Sequence, residues 1–139
     1  MKNKVSACIT PTTDSKIKLE EKGRKIIFDN PNRLRYLKVQ VDGCVFKAGT
    51  IKCDWLLLSA DEQEERYVEL KGTDVMHAID QLAQTIDRLG EYDSNRHVYV
   101  ICTNVAPAYT TQVQKKQKLF KKTYNAELII REKQMTVSL

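Results

Sequence analysis

The sequence is poor in the residues that interrupt regular structure, and in histidine. Its 139 residues include five glycines, three prolines and two histidines. So little glycine and proline excludes a collagen-like or low-complexity chain. The histidines, His77 and His97, lie too far apart in sequence to form the paired ligands of a zinc site. With 42% hydrophobic and 29% charged residues, the composition is that of a globular protein, and we expect one domain over residues 1–139.

Long hydrophobic runs are missing as well. No apolar stretch reaches the roughly 20 residues that cross a bilayer, and residues 1–16 lack the apolar core of a secretory signal. We therefore expect a cytoplasmic protein with no membrane partner. The cysteines show no C-x-x-C spacing, which argues against a zinc site; they are Cys8, Cys44, Cys53 and Cys102. In a cytosolic context we expect buried free thiols rather than disulfides.

Acidic residues are absent from one stretch near the C-terminus. Residues 112–122, "QVQKKQKLFKK", contain five lysines and no acid in a chain whose net charge is +5. On a helix, four of these lysines form one basic face: Lys115, Lys118, Lys121 and Lys122. Such faces are often only solvated, but a basic face without acids is also what contact with nucleic-acid phosphates needs.

Short alternating runs predict strands in the first half of the chain. Residues 15–31 indicate a hairpin with its turn at "EKGRK", and residues 36–49 indicate a second hairpin around an Asp-Gly pair. Two further strands are expected over residues 51–58 and 66–71. The acidic residues 59–65 between them predict a solvated turn.

From residue 73 the apolar period becomes helical. It predicts a helix over residues 73–90, capped at Thr73 or Asp74. A buried strand, a basic helix and a final strand are then expected over residues 97–105, 110–122 and 126–132. Hairpins followed by crossovers predict an α/β (α+β) fold, in which a mixed central β-sheet is flanked by helices and preceded by N-terminal β-hairpins.

Charged residues interrupt two of the predicted strands. Glu69 and Lys71 in "YVELKG" lie two positions apart and therefore share a face, because side chains alternate along a strand. Asp54 interrupts the apolar run before them. Charges in such runs are costly unless they are paired, bind a metal or face solvent. If the two strands are neighbours, the carboxylates of Asp54 and Glu69 converge, and Mg²⁺ would relieve their repulsion.

These residues resemble the D…E-x-K signature of the PD-(D/E)XK nuclease superfamily, which includes restriction endonucleases, Holliday-junction resolvases and phage-defence effectors. The resemblance covers the element order over residues 37–131, with residues 1–36 as an N-terminal extension, and implies a restriction-endonuclease-like core. It also implies a Mg²⁺-dependent nuclease, active also with Mn²⁺, that hydrolyses phosphodiester bonds, most often in DNA. Asp54 and Glu69 would hold the ion and Lys71 would assist the attacking water. Cys53 stands where the family name has proline.

The resemblance suggests further residues and partners. Gln81 matches by position a glutamine that some branches of the superfamily place beside the metal, although a boundary residue of the helix fits equally well. Members often add a glutamate from an N-terminal helix; Glu20 and Glu21 are candidates, but their segment is predicted as a hairpin. A core this small implies a homodimer or a partner subunit for target choice. Restriction, defence, repair and recombination enzymes all share this core, so the resemblance does not choose between these roles.

Three alternatives remain open from the sequence. Glu69 and Lys71 could form a surface pair on an edge strand, with Asp54 unrelated to them. The fold could be a catalytically idle nucleic-acid-binding or assembly subunit. An RNA-directed enzyme is the third alternative, for which the chain has no recognisable single-strand-binding motif.

Overall fold

The computed structural model describes residues 6–45, 53–91, 94–104 and 110–139. In these residues a 3₁₀ turn, Ser6–Cys8, precedes nine strands and two α-helices. The strands are β1 (Ile9–Thr12), β2 (Lys16–Glu21), β3 (Arg24–Asp29), β4 (Tyr36–Gln40), β5 (Trp55–Ser59), β6 (Glu64–Lys71), β7 (Asn95–Cys102), β8 (Ala126–Glu132) and β9 (Gln134–Ser138). The helices are α1 (Val75–Leu89), between β6 and β7, and α2 (Thr110–Tyr124), between β7 and β8.

The predicted mixed α/β class is confirmed. The larger sheet has the strand order β1-β4-β5-β6-β7-β8. Neighbours from β1 to β6 are antiparallel, whereas β6, β7 and β8 are parallel. Parallel neighbours need long crossovers, which the two helices provide. The carboxyl ends of β6, β7 and β8 therefore lie at one edge of the sheet, which we call the carboxyl edge.

Both faces of the larger sheet are covered. Side chains alternate between the faces, so Leu56 and Leu58 pack with α1 while Leu57 packs with a second sheet of order β2-β3-β9. In β6, Tyr67 faces the helices and Val68 faces the small sheet. A strand covered on both faces is rich in apolar residues throughout. The charged residues within β6 are therefore buried at Glu65, Arg66 and Glu69, and only the two end residues, Glu64 and Lys71, are partly exposed.

The first predicted hairpin is confirmed as β2 and β3. Glu21 is paired with Arg24 across a two-residue turn. Both turn residues have positive φ, +49° at Lys22 and +81° at Gly23, which matches the twist of a tight hairpin. Strand β9, which pairs in parallel with β3, was not predicted, because this partner lies more than 100 residues earlier in the chain.

The first strand of the second predicted hairpin is confirmed, and its return strand is tested only at Val45, which is not in a strand. Strand β4 forms, but in the described residues the chain turns at Gly43, whose φ is +76°, without a strand through Val45. The amide of Val45 instead donates to the carbonyl of Gln40 at 3.3 Å. The partners of β4 are β1 and β5, which offer longer ladders. Residues 46–49 of the prediction lie outside the described residues.

The predicted solvated turn over residues 59–65 is too long, because β6 begins at Glu64. Glu65 is fully buried and accepts from Arg96 Nε at 2.8 Å. Its carboxylate also accepts from the Tyr67 hydroxyl at 3.1 Å and from the Glu91 amide at 3.1 Å. A buried carboxylate is tolerated only with such partners, and Arg96 is 31 residues away in sequence.

The cysteine prediction is wrong for two of the four residues. Cys8 and Cys44 form a disulfide with a Cα–Cα distance of 5.7 Å, whereas Cys53 and Cys102 are free and buried. The pairing of β1 with β4 brings the two bridged residues together. Because β1 was not predicted as a strand, the sequence pattern gave no reason to join them.

Both helices are confirmed. Helix α1 starts after the N-cap Asp74, whose carboxylate accepts from the His77 amide at 3.0 Å, and ends before Gly90. Its predicted apolar stripe is buried against the sheet. Helix α2 buries Phe120 and leaves its lysine face exposed. Neither helix in the described part of the chain combines the length and apolar character needed to span a membrane.

Candidate active site

Asp54 and the end of β6 meet at the carboxyl edge. Trp55, the first residue of β5, is paired with Val68 of β6. Asp54, which precedes Trp55, therefore lies beside Glu69, which follows Val68. The Asp54 amide donates to the Val68 carbonyl at 3.2 Å, and the Leu70 amide donates to Asp54 Oδ2 at 2.8 Å. The backbone of β6 thus fixes the Asp54 carboxylate between Glu69 and Lys71.

Glu69 is buried against this carboxylate. Its side chain is 3% exposed. Burial, a hydrogen bond with Asp54 and the Asp54 charge raise the pKa of Glu69 from 4.5 to about 10, while the ammonium of Lys71 acts in the opposite direction. Apart from this contact between acids, Glu69 Oε2 is buried without a hydrogen-bond donor. At neutral pH Glu69 therefore keeps its proton unless a cation replaces it.

This geometry disfavours a surface Glu–Lys pair on an edge strand. Strand β6 is flanked by β5 and β7, so it is an interior strand of the larger sheet. Glu69 is buried and in contact with Asp54, whereas a surface pair would be solvated and worth less than about 1 kcal/mol. Lys71, at the end of the strand, is partly exposed.

The two carboxylates fit a hard divalent cation. A buried acceptor without a donor, next to a second carboxylate, offers oxygen ligands where a proton is otherwise trapped. In the described residues no three or more His, Cys, Asp or Glu side chains are grouped so as to hold a metal ion. The pair matches Mg²⁺, which uses one or two protein carboxylates and keeps several waters.

An acidic pocket lies beside the pair. It is open, has a volume of about 220 Å³, and is lined by Glu20, Glu21, Gln40, Asp42, Asp54 and Trp55. Glu20 and Glu21 reach it from the tip of the β2–β3 hairpin, not from a helix. Asp42, which sequence reasoning missed, also raises the pKa of Glu69. Its position two residues after β4, at a strand end facing the same edge, was the available signal.

Helix α1 positions the segment that precedes Asp54. The Cys53 amide donates to Thr85 Oγ1 at 2.8 Å, and the Thr85 hydroxyl donates to the Gln81 carbonyl at 2.8 Å. Thr85 is fully buried. Gln81, predicted beside the metal, is partly buried and joins this network through its main-chain carbonyl. No role was predicted for Thr85 from the sequence.

The basic face of α2 does not converge on the carboxylates. The helix runs antiparallel to β8: Val113 lies by Ile130, and Lys121 lies by Ala126. With a rise of about 1.5 Å per residue, Lys122 is roughly 10 Å further along the axis than Lys115. Lys115 is therefore the predicted lysine nearest the carboxyl edge. Lys118 lies between these two residues, and Lys121 and Lys122 point to the opposite edge of the sheet.

Comparison with known proteins identifies no relative. No family model, curated protein or solved structure matches the chain significantly. The functional argument therefore depends on the geometry of the site.

Proposed function

We propose that this protein is a metal-dependent nuclease that hydrolyses phosphodiester bonds in DNA, with a PD-(D/E)XK type of site on a restriction-endonuclease-like core. The observation that supports this most is the buried contact of Asp54 with Glu69 beside Lys71. Burial and the neighbouring acid raise the pKa of Glu69 to about 10. Such perturbed groups are enriched at catalytic centres.

Asp54 and Glu69 would hold Mg²⁺ or Mn²⁺ through their carboxylate oxygens. The bound ion would polarise a phosphoryl oxygen and lower the pKa of a bound water. The chain keeps its own ligands in place: the Leu70 amide holds Asp54 at 2.8 Å, and burial restricts Glu69. Such fixed ligands need little rearrangement when the ion binds.

Lys71 supplies the positive charge of the site. It follows Glu69 on the same face of β6 and is partly exposed. We assign it two tasks: to orient the attacking water and to stabilise the negative charge that develops on the phosphoryl group. The side chain forms no ion pair within 4 Å among the described residues, so its donors remain free for substrate.

The basic α2 helix suits contact with the DNA backbone outside the site of cleavage. Its proposed contact residues are Lys115, Lys118, Lys121 and Lys122, all exposed. The chain carries a net charge of +5, which favours association with a polyanion. We propose that a homodimer or a partner subunit selects the target, because the core has few elements free to read bases.

The test is cleavage of linear, circular, branched and single-stranded DNA with Mg²⁺, Mn²⁺ or EDTA. Cutting should require the metal and fall at least about 100-fold in Asp54→Asn and in Lys71→Ala, since the first loses a ligand and the second a charge that stabilises the transition state. Asp14→Asn, at an exposed aspartate outside the site, should cut like the wild type.

The outcomes separate the alternatives. DNA binding that survives both substitutions, with no cleavage of any substrate in any metal, would favour a catalytically idle binding or assembly subunit. Cleavage of an RNA oligonucleotide in preference to every DNA substrate would replace DNA with RNA in the proposal. Cleavage that persists in EDTA would contradict the metal-dependent mechanism.

A further inference from the structure

Three cations lie side by side at the carboxyl edge. Lys71 ends β6, Arg24 reaches the residue that follows β7, and Lys133 occupies the turn between β8 and β9. Because β6, β7 and β8 are neighbours and adjacent strands are about 4.8 Å apart, the three strand ends span roughly 10 Å. We call these three residues the carboxyl-edge row.

The hairpin places Arg24 in this row. The tight turn at Lys22 and Gly23 projects the start of β3 towards the end of β7, where Arg24 Nη1 donates to Thr103 Oγ1 at 3.3 Å. The Thr103 amide in turn donates to the carbonyl of Gly72, next to Lys71, at 2.7 Å. Arg24 Nε is buried and has no hydrogen-bond partner. The guanidinium thus has one unused donor, at the end of the strand that neighbours β6.

Backbone contacts fix the third cation. Lys133 has a φ of +65°, and its amide donates to the Cys102 carbonyl at 2.8 Å. Its carbonyl accepts from the Lys25 amide at 3.0 Å. The β8–β9 turn is therefore attached to both the end of β7 and the start of β3, and Lys133 projects from it as an exposed residue.

Two further acids adjoin the row, one in the hairpin and one in the chain. Glu21 is paired with Arg24 in the hairpin register and Glu132 precedes Lys133. Among the described residues, however, neither acid forms an ion pair within 4 Å of a member of the row. An arginine half withdrawn from water, with an unused donor and no carboxylate, is suited to a phosphate, which accepts several N–H groups.

We propose that Arg24 and Lys133 bind nucleic-acid phosphates next to the scissile one, so that the backbone of the substrate lies along the carboxyl edge over β6, β7 and β8. This inference rests on the proposed nuclease function, because it takes the phosphate at Lys71 as the reacting one. In this proposal the phosphates nearest the site contact the hairpin tip and the β8–β9 turn. The lysines of α2 contact phosphates further from the site.

The experiment measures the binding of a fluorescein-labelled 20-base-pair DNA duplex by fluorescence anisotropy, in EDTA and over a series of NaCl concentrations. The test variant is Arg24→Gln/Lys133→Gln. The control variant is Arg33→Gln/Arg35→Gln, which changes the charge equally at exposed residues before β4, at the opposite edge. Each lost phosphate contact should reduce the slope of log K against log salt by about 0.9.

We expect the test variant to lose about two units of slope and the control to keep the wild-type slope. The single variant Arg24→Lys, with Lys133 unchanged, should bind the duplex more tightly than the test variant and less tightly than the wild type. It keeps the positive charge at residue 24 but not the forked donors of arginine. Melting temperatures of all variants exclude a merely structural effect. An unchanged slope in the test variant, or an equal loss in both double variants, would overturn the inference, as would wild-type protein that binds no duplex.

Failure of the inference and failure of the proposed function are distinguishable. Metal-dependent cleavage by the wild type, together with an unchanged slope in the test variant, would contradict only the proposal that the carboxyl-edge row binds phosphates. If the slope is reduced in the test variant alone and no metal supports cleavage, the row remains a phosphate-binding surface. The same result would contradict the catalytic proposal.

Discussion

At the residue scale, the ionisation of Glu69 depends on its neighbours. In an extended chain a glutamate has a pKa near 4.5, but here burial and the adjacent Asp54 raise it to about 10. The folded protein therefore retains a proton that the unfolded chain releases above pH 4.5. A divalent cation bound between Glu69 and Asp54 would take the place of this proton.

The first prediction concerns stability against pH in the absence of metal. Below pH 4.5, Glu69 is protonated in both the folded and the unfolded state, and its contribution to the free energy of unfolding is fully present. As the pH rises from 4.5 towards 10, only the unfolded state loses the proton, so this contribution declines. At about 1.4 kcal/mol per pH unit, Glu69→Gln should exceed the wild type in unfolding free energy by on the order of 3 kcal/mol at pH 7. Urea unfolding at several pH values measures this difference.

Two controls apply to this measurement. Glu132→Gln, at an exposed residue, should follow the wild-type pH dependence. Adding Mg²⁺ at pH 8 should stabilise the wild type but not Glu69→Gln, since the ion would take the place of the proton on Glu69. A difference between Glu69→Gln and the wild type that stays constant from pH 4 to pH 9 would contradict the raised pKa.

At the element scale, the site depends on how β5 and β6 are attached to α1. Strand β5 begins at Trp55, so Asp54 lies just before it. Cys53, the residue before Asp54, is attached to α1 through Thr85. A single buried hydroxyl thus satisfies the Cys53 amide and the Gln81 carbonyl at the same time.

The second prediction tests this attachment. Thr85→Val keeps the shape of the side chain but leaves the buried Cys53 amide without an acceptor, which costs about 1 to 3 kcal/mol. Thr85→Ser keeps the hydroxyl and loses one methyl, at about 1 kcal/mol. We expect metal-dependent cleavage to fall more in Thr85→Val than in Thr85→Ser when both are assayed well below their melting temperatures. Equal cleavage by the two variants would show that the hydroxyl does not position the site.

At the scale of the whole molecule, long-range links join the segments around the site. The disulfide Cys8–Cys44 has a sequence separation of 36 and attaches the start of β1 to the turn after β4. That turn contains Asp42, whose amide and that of Val41 donate to the Asp54 carbonyl. The small sheet brings the hairpin tip to the same edge. The site is therefore assembled from both ends of the chain.

The third prediction concerns this disulfide. In the chain-entropy description, closing a loop of this length stabilises the folded state by about 4 kcal/mol. Dithiothreitol should lower the urea midpoint of the wild type and leave that of the variant Cys8→Ser/Cys44→Ser unchanged. Alkylation of denatured, unreduced protein should modify Cys53 and Cys102 alone. Modification of all four cysteines before reduction would contradict the pairing.

The elements that could be predicted from the sequence have local causes. The β2–β3 hairpin follows from alternation around Lys22 and Gly23, and α1 follows from an apolar stripe with a cap at Asp74. Each signal lies within the element itself, so no distant partner was needed to recognise it. The order of hairpins and crossovers then predicted the mixed sheet, because parallel neighbours require crossovers.

The candidate site was predictable only in part. The sequence alone identified Asp54, Glu69 and Lys71 as candidate site residues, because charged side chains in apolar strands are costly to bury unless they are paired or bind a ligand. It placed Glu20 and Glu21 as candidates without showing how a hairpin could bring them near. The buried side of the site, in which Thr85 fixes Cys53, was not predictable, because a hydroxyl on a helix flank has many local partners.

The sequence by itself determined both helices and the strands other than β1 and β9, since backbone propensity and apolar period act over a few residues. Only the tertiary structure decided what Glu65, Cys8 and Arg24 do. Glu65 is buried because Arg96 meets it across the sheet, Cys8 is bridged because β1 is paired with β4, and Arg24 reaches Thr103 because two sheets stack. Contacts between residues far apart in the chain are properties of the packed layers, and no local pattern encodes them.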